Sequence, residues 1–468
     1  MVAGGNRGFC SSTQRRAPGK TIALRLFRAE YRPEWTAFGP VPLAQLDKVK
    51  RLSMSIDIMV LGAGMVGVSA ALHLQKRGRS VVLIDRGGVA EQTSYGNAGI
   101  IQVEGVVPYP FPRDPAKLAQ YAFNMLPEAN LHWTALPKLA PWLWRYFLAS
   151  NEAGQARTAL GAKPLVLASI VEHEALMREA GVEGMLRRTG YLRLYRNAQA
   201  FDAAVAKETA DRTRYGVNFE TVTPERVQQL EPHLSERFHG ALLMPDPVSV
   251  PDPGAVGKAY GELFLKRGGR LERGEARTLT ETNDGQWQVQ CDHGPITARE
   301  AVVCLGPWSD DVLAKFKLRV PMGSKRGYHM HYKARGNATL NRPVLDTDNG
   351  YVLTAMTQGI RLTTGAEFAR RDGPPTPVQL DRVEPAARRL FPLENRVDAQ
   401  PWLGRRPCLP DMLPAIGPLP GSKGLWADFG HHHLGFTLGP VSGRLLAEMV
   451  TGQNPFTDPS PYRVDRFG

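Results

Sequence analysis

At 468 residues, with 43% hydrophobic and 22% charged residues, the chain can bury a large core in two or three structural units and is too apolar to be disordered throughout. Its formal charge of +13 suggests nucleic acid until it is divided along the chain: residues 1–53 carry +7 and the remaining 415 residues only +6, a mildly basic body that suits anionic small molecules at least as well as polynucleotides. The four cysteines, Cys10, Cys291, Cys304 and Cys408, have no CxxC or metal-ligand spacing, and no run of eighteen apolar residues offers a membrane-spanning helix.

Residues 1–53 are Arg-rich and interrupted by Pro and Gly, without an amphipathic period. They are expected to be an unstructured extension, with Met54 as the working start and a transit peptide as the alternative. Next comes "IDIMVLGAGMVGVSAALHLQKRGRSVVLIDR", residues 56–86: an apolar run, a helical period that stops at Gly78, and a second apolar run ending in Asp85. Its glycines, Gly62, Gly64 and Gly67, have the spacing of a dinucleotide-binding turn. The first allows the tight turn, the second a close approach of a pyrophosphate, and the third close packing of helix on strand. Met65, Val66 and Arg86 flank this turn and the strand end, and Asp85 is placed to accept hydrogen bonds from a ribose diol.

The loop "TSYGNAGIIQ", residues 93–102, offers Ser94, Asn97, Ala98 and Gly99 as close-range backbone and side-chain partners of an extended cofactor. Between 105 and 235 lie a Trp-rich stretch, the strand "TGYLRLYRN" and the helix "AQAFDAAVAKETADRTRYG". Core packing is expected for Trp133, Trp142, Trp144, Tyr146 and Phe147, with a membrane-surface face as the alternative. Residues 251–279 read as helix then strand, residues 301–313 as a strand turning through Gly306 into a helix, and residues 314–395 as alternating strands in hairpins. Thr437 to Val450 reads as an amphipathic helix behind a glycine-bracketed loop that includes Gly435. Its positive N-terminal end is suited to charge that develops on a reduced cofactor.

The glycine fingerprint, the acidic strand end and the TSxxNAG loop together resemble the D-amino-acid oxidase superfamily of FAD enzymes, with the bacterial D-amino-acid dehydrogenases most similar, over residues 56–455. The resemblance implies an α/β fold: a doubly wound FAD-binding domain of the glutathione-reductase type (54–104, 236–313 and 396–455), an interleaved mixed-sheet substrate domain (105–235 and 314–395), and a tail over 456–468. It implies FAD held non-covalently, since Cys408 does not match the position of a flavin-linking cysteine, and no metal, so that His431, His432 and His433 line the flavin. "GRRP" resembles the family's G-x-R-P stretch, which makes Arg406 the clamp for a substrate carboxylate and Arg405 its solvated neighbour. Tyr328 and Arg326, in "KRGYHMHY", are further candidates for substrate contact.

The implied reaction is oxidation of a D-amino acid by hydride transfer to flavin N5, giving an imino acid and then a 2-oxo acid plus ammonia. Alternatives are a cyclic or N-methyl amino acid (D-proline, hydroxy-D-proline, sarcosine), glycine, or a flavin subunit of a multi-chain dehydrogenase. The expected partners are an amino-acid substrate and a quinone or oxygen as electron acceptor, with no nucleic acid. The expected location is cytoplasmic, with peripheral contact on the inner face of the cytoplasmic membrane as the alternative.

Overall fold

The computed structural model describes residues 56–467; the expected extension over 1–53 and Cys10 lie outside them. In chain order, β1 (Ile58–Leu61) turns into α1 (Met65–Lys76) and returns as β2 (Val81–Asp85). α2 (Glu152–Glu179) and α3 (Pro253–Lys266) follow, each started by a side-chain cap: Asn151 accepts from Gly154 N–H and Asp252 from Ala255 N–H. Then come β3 (Arg270–Glu281), β4 (Glu300–Val303), β5 (Gly323–Ala334), β6 (Gly359–Thr363), β7 (Ala366–Phe368), β8 (Trp402–Cys408), β9 (Leu425–Phe429) and α4 (Gly435–Val450).

An eight-stranded sheet has β3, β2, β1, β4 and β9 side by side, and all of these pairs are parallel. Parallel strands covered on both faces need apolar residues on both, and β1 alternates accordingly. Ile58 and Val60 enter one core with the helices, while Met59 and Leu61 enter the other with Trp287 and Phe429. This is the doubly wound arrangement expected. A second, eleven-stranded mixed sheet holds β5 to β8 together with Tyr191–Tyr195 and Gly240–Met244.

Three expectations are corrected. Gly240–Met244 and β8, placed by sequence with the FAD-binding segments, pair in the second sheet, because their partners are Tyr191–Tyr195 and β5. α4 begins at Gly435 and is not amphipathic: Phe436 through Gly443 are all buried, with Gly439 and Gly443 set directly against Met65 and Ala70 of α1. Trp142 and Tyr146 are core residues, but Trp133 and Trp144 are 54% and 60% exposed. The C-terminal tail packs on the body, with the buried Tyr462 hydroxyl donating to Gly161 O at 2.6 Å.

Candidate active site

The turn after β1 separates glycines the chain itself requires from one it does not. Gly62 has φ +105°, and a Cβ there would lie 2.5 Å from Cys304 O; a Cβ on Gly67 would lie 1.8 Å from Gly62 O. A Cβ on Gly64 would meet only Ser94 Oγ, at 3.4 Å. The space in front of Gly64 therefore serves something other than this chain, as a pyrophosphate cradle does. α1 has no side-chain cap and no acidic residue in its first turn, so its positive end is left for an anion. Around it, Met65 N–H donates to Ser94 Oγ at 2.9 Å, while Asp85 accepts from Ala63 N–H and Gly87 N–H, both at 2.8 Å.

From this turn a long cavity runs between the two sheets. Gly62, Gly64, Met65, Val66, Asp85, Arg86, Ser94, Asn97, Ala98, Gly306 and Gly435 all line it. Gly67 and Gly99 do not; they support the wall from behind. Gly99 has φ +72° and leaves no room for a Cβ, which would sit 2.4 Å from Val250 O, and its N–H donates to Asn97 Oδ1 at 2.8 Å.

The wall from the second sheet is set by register. β5 and β8 pair antiparallel with Lys325 opposite Arg406, Gly327 opposite Gly404 and His329 opposite Trp402. Gly327, Trp402, Gly404 and Arg406 face the cavity. Arg406 donates to Gly365 O at 2.9 Å and to Arg326 O and Thr364 O at 3.3 Å each; none of these partners is a carboxylate. Burial pushes its pKa down.

The same period of two removes Arg326 from the cavity. It is fully buried on the other face of β5, donating to Glu367 Oε2 at 2.6 Å and to the carbonyls of Arg370, Gly373 and Pro374. Tyr328 borders the cavity, but its hydroxyl donates to Glu367 at 2.9 Å and accepts from Thr376 N–H at 2.8 Å, so it is not free for a substrate. Arg405 does point away from Arg406, yet it is half-buried rather than solvated. Its Nε donates to Arg371 O at 2.8 Å and its guanidinium lies over the Trp308 ring, where Arg86 also lies.

All three histidines of the 431–433 run reach the cavity. His431 Nε2 is 3.0 Å from Ser442 Oγ, which donates to the buried Asp428. His432 Nδ1 and His433 Nδ1 are 3.0 Å apart, so one ring must donate and the other accept. The Met412 backbone raises the proton affinity of His432, as an accepting carbonyl does. In the tautomer in which His433 donates from Nδ1, its Nε2 is unprotonated and can accept a hydrogen bond. Burial, with Arg406 and Lys325 nearby, pushes the His433 pKa down to about 3. Sequence reasoning placed these rings along the flavin but had no signal for the tautomers. It also passed over Trp402 and Trp308, whose roles depend on strand pairing.

A doubly wound sheet with this glycine turn and a cavity closed by a second sheet defines a dinucleotide-dependent enzyme of the flavoprotein type. The family described as FAD dependent oxidoreductase, DAO, matches residues 57–449, and the chain belongs to it. It is 28% identical over 417 residues to a D-amino-acid oxidase of Bradyrhizobium diazoefficiens, covering 88% of this chain and 98% of that one. It is also 28% identical over 404 residues to a D-amino acid dehydrogenase of Xylella fastidiosa, covering 84% and 91%. Among solved structures it shares the fold of glycine oxidase from Geobacillus kaustophilus (TM-score 0.67, 21% identity, 88% and 98% covered). L-proline dehydrogenase from P. horikoshii has the same fold (TM-score 0.65, 20% identity, 88% and 98% covered). The protein is thus an FAD-dependent oxidoreductase acting on amino acids.

Proposed function

We propose that this protein oxidises a free D-amino acid, with Arg406 holding the substrate carboxylate. The observation that carries the reading is a buried guanidinium on the cavity wall with only backbone carbonyls as partners. A buried cation without a counter-charge is costly, and a bidentate carboxylate relieves that cost. When bound, FAD supplies the two-electron acceptor for the substrate's Cα–H bond. The chain's own residues do the rest: Arg406 fixes one end of the substrate, and His433 Nε2 accepts a hydrogen bond from its amine. The walls around Trp402 keep bulk water from the reacting carbon. No side chain is required to shuttle the α-hydrogen, and the imino acid product hydrolyses to a 2-oxo acid and ammonia.

The test is Arg406→Met beside Arg405→Met, with D- and L-amino acids, cyclic imino acids and sarcosine read by dye reduction and oxygen uptake. Charge-assisted bonds to a carboxylate are worth roughly 1.5–3 kcal/mol, so Arg406→Met should lose at least about ten- to a hundredfold in kcat/KM while keeping its flavin spectrum. Arg405→Met should change little. A near-normal Arg406→Met enzyme overturns the assignment, and the panel separates D-amino acids from the cyclic and N-methyl alternatives and oxygen from other acceptors.

A peripheral membrane contact is part of this reading. The helix Leu136–Ala149 turns Pro137, Pro141, Trp144 and Leu148 to the outside, with Arg113, Lys117, Lys138 and Arg145 exposed in the same region. Apolar bulk flanked by cations suits an anionic lipid surface. Sedimentation with phosphatidylglycerol vesicles, lost in Trp144→Ser, is the expected result; equal sedimentation of both proteins rejects the contact.

A further inference from the structure

The loop whose backbone lines the cavity at Gly96, Asn97 and Ala98 is gripped by one side chain of the second sheet. Arg361, on β6, is 2% exposed. It donates through Nη1 to Asn97 O and, at 3.4 Å, to Tyr95 O, and through Nε to His331 Nε2 at 2.9 Å. His331 sits directly opposite it on β5. A guanidinium has donors only, so His331 Nε2 must accept, and the single ring proton is on Nδ1. That nitrogen is 2.8 Å from Asp398 Oδ2, which also accepts the His331 backbone N–H at 2.9 Å. The direction of donation is therefore fixed along the whole row: His331 to Asp398, Arg361 to His331, Arg361 to the loop.

We propose that Arg361 is a positioning residue that holds the Tyr95–Asn97 turn in its FAD-binding shape, and that neutral His331, oriented by Asp398, is the element that lets go in acid. A protonated His331 presents an N–H to an N–H and sets two cations in contact, so Arg361 loses its anchor and the loop its clamp. His331 faces Arg361, Asp398 and the His329 ring, whose centroid is 5.0 Å away, and it feels the charge of Asp252. Arg361 faces the Tyr95 ring and the charges of Asp252 and Asp398. Burial and the Arg361 charge hold the His331 pKa below the ordinary imidazole value. FAD binding to the intact row lowers it further. Affinity is thus fully present above the apo protein's His331 titration and falls as pH drops through it.

The test is the FAD dissociation constant of the full chain, followed by flavin fluorescence from about pH 8 to about pH 4.5, in wild type, Arg361→Met, Arg361→Lys and His331→Gln. Far-UV circular dichroism and melting of the apo proteins accompany it. His331→Gln keeps an acceptor for Arg361 but does not titrate. Arg361→Met is expected to bind FAD about ten- to a hundredfold more weakly at pH 8, with Arg361→Lys intermediate. Wild type should weaken by up to about tenfold per pH unit through the transition, and His331→Gln should bind normally at pH 8 with a flatter profile. A folded Arg361→Met protein with FAD affinity within about threefold of wild type overturns the proposal. So does a His331→Gln profile as steep as that of wild type, a comparison that stands even if Arg361→Met does not fold.

Discussion

Arg406 and Arg326 lie near each other in the fold, yet their partners give them different work. Arg326 is neutralised by the fully buried Glu367 and saturated by carbonyls, which makes it a strut between β5 and the 370–374 loop. Arg406 has carbonyls alone and is open to the cavity. In the function proposed above, His433 supplies the other half of amino-acid recognition. Its pKa of about 3 keeps the ring neutral over the working range, so the pH profile of kcat/KM should show no limb from it; protonation, and loss of the acceptor, would come only in strong acid. His433→Leu should raise KM for the amino acid by about tenfold, the value of one neutral hydrogen bond, while His433→Gln restores it. Flavin-perturbation titration with benzoate, which has a carboxylate and no amine, should give the same dissociation constant in all three proteins. A shifted benzoate affinity would mean that His433 acts on the carboxylate end.

At the scale of elements, the turn between β1 and α1 makes a sharper distinction than the three glycines suggest as a motif. Gly67→Ala places a methyl 1.8 Å from Gly62 O and should prevent folding, seen as loss of soluble protein. Gly64→Ala meets only Ser94 Oγ, so the chain should fold normally and bind FAD at least about tenfold more weakly, read by flavin retention on a desalting column. Normal retention would show that the space before Gly64 is not the pyrophosphate's. This turn was legible in the sequence because strand, turn and helix are local patterns, and each glycine's place follows from its neighbours. The cavity wall on β5 was not. Alternation says that Arg326 and Tyr328 share a face, but which face depends on Lys325 standing opposite Arg406, far along the chain. Register between distant strands is settled by packing, and a single sequence contains no local sign of it. The character of α4 was missed for a related reason: a helix pressed between two others has no exposed side to mark it.

At the scale of the molecule, the chain crosses between its two sheets repeatedly. Loop 93–102 and Gly306 are made early or midway, β8 late, and Gly435 and Phe436 close the cavity from α4. Domains emerging from the ribosome tend to fold as units from the N-terminus, yet neither sheet here is complete until β8 and β9 have been made. Flavin capture is therefore expected after translation, when nearly the whole polypeptide is free. A stop codon at Gly435 should yield protein without flavin even though the fingerprint at 62–67 is intact, measured as the ratio of flavin to protein absorbance after purification. In a cell short of riboflavin, the species that accumulates would be a finished apoprotein with an open cleft, and its exposure to proteases would tie the abundance of the enzyme to the supply of its vitamin.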